Sequence, residues 1–161
     1  MQMTETKDVI RLTLPAKPEF VSIARLASSG AASRMGYSFD AIEDIKVAVS
    51  EACTNAVSHG YKQMETGQIK IVMECDENAL TITVIHNGES FDAGEALQKL
   101  KPIDPYADLD EVNEGGLGLF LINALMDQVT ISTECGVAVR MIKFLSRDGV
   151  ECIANKVSTT E

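Results

Sequence analysis

The chain reads as an α/β protein of two layers, a mixed and largely antiparallel sheet with helices on one face. Two observations predict this. The elements follow one another as β-α-α-β-β-α-β-β, and the strands come in hairpin pairs instead of the strict βαβα alternation of a parallel Rossmann sheet.

Residues 8–14 (DVIRLTL) alternate, with Ile10, Leu12 and Leu14 on one face, and Pro15 ends the strand. A first helix starts at Pro18 or Glu19 and runs to about Met35, with Gly36 just past its end. A second helix, capped by Ser38 or Asp40, reaches about His59, where Gly60 supplies the stop. Its apolar stripe is Ile42, Ile45, Val49, Ala52, Cys53 and Ala56. Next, residues 68–75 (QIKIVMEC) and 79–86 (ALTITVIH) alternate about the polar turn Asp76-Glu77-Asn78, a hairpin signature. Residues 87–116 hold Gly88, Gly94, Pro102, Pro105, Gly115 and Gly116, with one short helical patch at EALQKL. So long a stretch without regular structure inside a domain is either a lid over a binding site or a surface excursion. A third helix is expected near 117–127, then strands near 129–134 and 137–145 about Cys135-Gly136. The ordered core is expected over about 8–145, with a loose polar tail over 146–161.

With 161 residues and 45% hydrophobic composition, the chain is one domain with an ordinary core. Aromatics make up 5% and Trp is absent, so that core is aliphatic. A formal charge of −10 gives no counterion-release drive towards DNA or RNA, and direct nucleic-acid binding is not expected. It suits either a basic protein partner or solubility alone. Cys53, Cys75, Cys135 and Cys152 form no CxxC pair, and no His stands at ligand spacing from them. Cys53, within a helical apolar pattern, and Cys75, ending a strand pattern, are expected as small buried thiols in a reducing cytosol. No leader and no apolar run of membrane-spanning length is seen, so a cytoplasmic protein without a membrane role is expected.

Chemistry concentrates in SEACTNAVSHGY, residues 50–61, where Glu51, Asn55 and His59 follow at i, i+4 steps. A carboxylate here can act as a base, and an Asn carbonyl is a hard, neutral ligand suited to Mg²⁺. The alternative is a polar helix face without chemistry. His59 is read as a helix C-terminal cap, and Cys53, on the apolar side, as no nucleophile. "EGGLGLF" (114–120) puts Gly115, Gly116 and Gly118 at the mouth of a helix, where backbone N–H groups can meet phosphate oxygens. A GGxG is also an ordinary loop-to-helix turn. GxxxxGK[ST] and GxGxxG are absent, which excludes a P-loop and leaves no dinucleotide fingerprint.

Together, a helix with Glu and Asn, a strand ending before Gly88, a long lid and GGLGL opening a helix resemble the GHKL ATPase superfamily (the Bergerat fold). Within it the chain is similar to the anti-sigma-B family of serine-protein kinases. The matching stretches are LPAKPEFVSIARLASSG, ASRMGYSFDAIEDIKVAVSEACTNAVSHGYK, GESFD, EGGLGLFLINALMDQV and GVAVRMIKFL. The resemblance implies a homodimeric anti-sigma factor that keeps a stress-response sigma factor from RNA polymerase. It also implies that ATP and Mg²⁺ serve to phosphorylate a serine of an anti-anti-sigma factor. By position, Glu51 matches the general base and Asn55 the Mg²⁺ ligand. Gly115, Gly116, Leu117, Gly118 and Leu119 match the phosphate-side glycine box, with Gly88 on the base side. Arg25 matches a partner-contacting arginine, and the first strand and helix match the dimer and partner surface.

Two positions depart from the family. His86 stands where an Asp accepts the adenine amine, and Ala138 where a Thr lies near the adenine. Neutral imidazole accepts one hydrogen bond, whereas imidazolium only donates. The resemblance therefore admits two outcomes, a working kinase with altered base reading or a binding-only anti-sigma module. The ATPase domain of a two-component histidine kinase is not expected, since no phosphoacceptor helix precedes these elements.

Overall fold

The computed structural model describes residues 6–60, 67–86, 114–132 and 137–146, without the side chains of 59, 60 and 114–117. Strand β1 (Asp8–Pro15) leads into a 3₁₀ turn over Pro18–Phe20, and helix α1 follows at Val21–Met35. The turn expected to open α1 at Pro18 is thus wound more tightly, which suits a Pro that has no N–H to give. Gly36 ends α1 at φ 94°, and the carbonyls of Ala32 and Ser33 are taken up by the N–H groups of Tyr37 and Gly36. That left-handed conformation costs about 1–2 kcal/mol in a residue with a Cβ.

Helix α2 spans Phe39–Gly60. Of the two capping residues the sequence offered, Ser38 is the one used: its Oγ accepts from Ala41 N at 3.2 Å and its carbonyl from Ile42 N at 2.9 Å. Strands β2 (Gln68–Cys75) and β3 (Ala79–His86) form the expected hairpin. Asp76 Oδ1 closes its turn by accepting from Asn78 N (2.6 Å) and Ala79 N (2.7 Å). Helix α3 (Glu114–Leu125), β4 (Gln128–Ser132) and β5 (Val137–Phe144) complete the described chain.

The sheet order is β1-β2-β3-β5-β4, and every described neighbour pair is antiparallel, so the expected mixture with parallel pairs is absent among these strands. The two-layer α/β architecture is as expected. One face packs on the helices: Ile69, Ile71 and Met73 of β2, Leu80, Ile82 and Val84 of β3, and Val137, Val139 and Met141 of β5 are buried. They meet Ile45, Val49, Ala52, Cys53 and Ala56 of α2, Ala24, Ala31 and Ala32 of α1, and Leu119 and Ile122 of α3. The other face is mixed, with Arg140 and Glu74 paired at 3.7 Å. No described helix is long and apolar enough to cross a membrane. The lid expected over 87–116 up to residue 113, Gly88, the turn at Cys135-Gly136 and the tail beyond Ser146 lie outside the described residues, as does the side chain of His59.

Candidate active site

On α2 the core stripe points at the sheet, and Glu51 and Asn55 stand on its flank, half-buried. What they face is α3. A Cβ built on Gly118 would lie 2.9 Å from Asn55 Nδ2, 3.1 Å from Asn55 Oδ1 and 3.2 Å from Glu51 Oε2. Both polar side chains therefore close on one backbone position of α3, and only glycine leaves room for them. A solvated helix face would have no reason to turn a carboxylate and a carboxamide onto a buried neighbour. The i, i+4 spacing delivers both to the same point.

Helix α3 begins at Glu114, about one turn earlier than expected, so the backbones of Gly115, Gly116, Leu117, Gly118 and Leu119 form its first turns. The N–H groups of a first turn lack intrahelical acceptors and face outward at the positive end of the helix. Leu119, 3% exposed, anchors this segment in the core. The glycines thus combine two properties, a helix terminus with available donors and a surface that admits Glu51 and Asn55 at close range.

His86 ends β3 on the helix-facing side, opposite Ile69 and Val137, and is 4% exposed. Ala138 is different. It pairs with Ile85, not His86, and strand alternation turns it to the open face of the sheet. The expectation that His86 and Ala138 together alter one end of the site is therefore corrected: Val137, fully buried, is the β5 residue beside His86.

Cys53 lies on the core side of α2, and burial pushes its thiol up to about 12, which keeps it protonated and inert as a nucleophile. Cys75 is a second free, buried thiol, also raised mainly by burial. The hydroxyls of Ser50 and Ser58 donate to the carbonyls of Lys46 and Thr54 and are occupied within the helix. Arg25 is exposed on α1, as are Ile23 (43% exposed) and Leu26 (70%).

The sequence reading missed Lys143. Its Nζ donates to the Leu125 carbonyl at 2.6 Å and stands 3.7 Å from Asp44 Oδ2. The available signal was its position in β5, in phase with Val137, Val139 and Met141, where an apolar residue is the rule.

Residues 14–143 match the family described as the histidine kinase-like ATPase domain. The chain is similar to the serine-protein kinase RsbW of Bacillus licheniformis, 48% identical over 149 residues, covering 92% of this chain and 93% of that protein. Against the serine-protein kinase RsbW of Bacillus subtilis the identity is 46% over 149 residues, with the same shares of the two chains. Among solved structures it is similar to the RsbU and RsbW domains of a Mycobacterium tuberculosis protein, with a TM-score of 0.63 and 22% identity. That likeness covers 88% of this chain and 33% of the other, and it speaks for the fold alone.

Proposed function

Because the chain belongs to the RsbW family of serine-protein kinases, built on the histidine kinase-like ATPase domain, we propose that it transfers the γ-phosphoryl group of ATP to a serine of an anti-anti-sigma protein. In its other role it holds a sigma factor of the sigma-B type, a stress-response factor, away from RNA polymerase. The reading includes a cytoplasmic homodimer, with Arg25, exposed on α1, as the partner-contacting residue.

The observation that carries the proposal is the convergence of Glu51 and Asn55 on Gly118. It also tests whether the residues present fit a metal-bound triphosphate, and they do. Asn55 offers a hard oxygen, and the first turn of α3 offers backbone N–H donors beside it. Asn55 would be the protein ligand of Mg²⁺, and Gly115, Gly116, Leu117, Gly118 and Leu119 would line the phosphates, with Gly88 towards the base. The ion supplies neutralisation of charge on the phosphate oxygens. Glu51 accepts the proton of the incoming serine hydroxyl, at an oxygen held within reach of the same glycine. No covalent intermediate is required, since phosphoryl transfer depends mostly on alignment and charge stabilisation. His86, buried at the end of β3, is the base-reading residue.

A second reading, a binding-only anti-sigma module, is favoured by His86 alone. It loses support from Ala138, which faces away. The two readings separate in one assay with Mg-ATP, Mg-GTP and an anti-anti-sigma protein carrying the acceptor serine. The expected result is phosphoserine formation, reduced by about 10²–10⁴-fold in Glu51→Gln with sigma capture unchanged. Sigma capture without transfer from either nucleotide establishes the binding-only module instead.

A further inference from the structure

We propose that Lys143 is a positioning residue for this site: it pins the far end of α3 to α2 and so holds Gly118 against Glu51 and Asn55. The inference rests on the reading of that site as the nucleotide site.

Lys143 faces the helix layer from β5, and its side chain is 17% exposed. An ammonium placed there is unfavourable unless it is paired. It has two partners on two helices, the Leu125 carbonyl at 2.6 Å and Asp44 Oδ2 at 3.7 Å. Leu125 is the last residue of α3, and its carbonyl is one that the helix itself leaves without a donor. A cation at that end also complements the helix dipole. The hydrogen bond is charge-assisted and stronger than a neutral one. The Lys143 carbonyl, in turn, accepts from the Tyr37 hydroxyl, which ties the pin to the segment between α1 and α2.

The contacts between α2 and α3 run antiparallel. Asp44 and Leu125 share Lys143 at one end, and Asn55 lies against Gly118 at the other. Gly118 and Leu125 are separated by about 10 Å of helix at 1.5 Å per residue. The glycine end is held by close contact with polar side chains, which resists approach but not withdrawal. Among the described residues its attachment from behind is the apolar packing of Leu119, Ile122 and Met126, which tolerates small slides along the helix axis, and two polar ties that do not. One is the Lys143 bond to the last carbonyl of the helix; the other is Asp127, whose N–H donates to the Ile142 carbonyl at 2.9 Å and whose Oδ2 accepts from Phe144 N at 2.6 Å. The Asp127 bonds fix the chain after α3 to β5, whereas the Lys143 bond is the one of these ties that holds a group of the helix itself and faces Asp44 of α2, so removing it lets α3 rotate about its packing. An error of ~1 Å between catalytic groups is enough to lower a rate by about 10²-fold.

The test compares Lys143→Met, which keeps the stem and loses the donor, with Lys143→Arg, which keeps a donor. Two quantities are read: KM for ATP against kcat in serine phosphorylation, and amide exchange along α3 in the protein without nucleotide. Lys143→Met is expected to raise KM for ATP about tenfold and to speed exchange in the first turns of α3, far from the substitution. Lys143→Arg is expected to stay close to the parent in both. A Lys143→Met protein that is merely less stable, with parent-like KM and exchange at the glycine end, overturns the proposal. Should that variant fail to fold, Asp44→Asn is measured instead, and faster exchange at the same turns is required of it. If the parent protein transfers no phosphate at all, the kinase reading falls and the exchange comparison alone decides for or against Lys143.

Discussion

Gly118 of α3 and Asn55 of α2 stand so close that a single added carbon on the glycine would come 2.9 Å from the Asn55 amide nitrogen. The consequence for the site is direct. Gly118→Ala brings a gain in helix propensity of about 1 kcal/mol, offset by displacing Asn55 and Glu51. Stability should stay within about 1 kcal/mol of the parent, while nucleotide affinity falls at least about tenfold. Urea unfolding and a nucleotide titration measure both. Affinity equal to the parent's would place the nucleotide elsewhere.

His86 gives the second prediction. Replacing it by Asp restores a charged acceptor to the helix-facing end of β3. A charge-assisted hydrogen bond to the adenine amine contributes about 1.5–3 kcal/mol, so His86→Asp should tighten ATP binding roughly ten- to a hundredfold. The same carboxylate is buried without nucleotide, so the unliganded variant should melt lower and show a larger rise in Tm on adding ATP. An ATP affinity indistinguishable from the parent's would remove His86 from the base-reading end.

Tyr37 gives the third. Its hydroxyl accepts from Leu80 N at 2.9 Å and donates to the Lys143 carbonyl, joining the α1–α2 segment to β3 and β5. The residue is 8% exposed, so Tyr37→Phe leaves a buried N–H without its acceptor. A loss of about 1–3 kcal/mol is expected in urea unfolding at neutral pH. A change below about 0.5 kcal/mol would mean that water replaces the hydroxyl.

Alkaline pH should weaken the fold through the same residue and through Cys53. Burial raises the Tyr37 hydroxyl from 10.0 to about 12 and the Cys53 thiol from 9.0 to about 12. In both, the unfolded chain gives up its proton first. Their contribution is complete below about pH 9 and is lost as pH rises towards about 12. The urea midpoint should therefore fall across that window. In a Tyr37→Phe, Cys53→Ala double variant the fall should be shallower, and an unchanged slope would assign it to other groups. At neutral pH Cys53 should resist iodoacetamide until the protein unfolds.

Much of this was legible along the chain. The period-2 runs of β2 and β3 with Asp76 between them marked the hairpin to the residue, because alternation and turn chemistry are local properties. Gly36 marked the end of α1 for the same reason, since a left-handed cap is a requirement of a single residue. The start of α3 was less visible. Gly115 and Gly116 look like loop, and their helicity is granted by the packing of Leu119 and Ile122 beneath them.

By itself, then, the sequence determined the order and type of the elements, the two-layer class, and the pairing of Glu51 with Asn55 on one helix flank. Each follows from spacing within a short window. Only the tertiary structure decided what that flank meets, that Val137 and not Ala138 stands beside His86, and that Lys143 reaches the end of α3. Those depend on strand register and helix packing between residues far apart in the chain. Alternation within β5 sets Lys143 in phase with Val137, Val139 and Met141 and Ala138 on the other face, but only strand pairing and helix packing decide which residues of other elements stand opposite them.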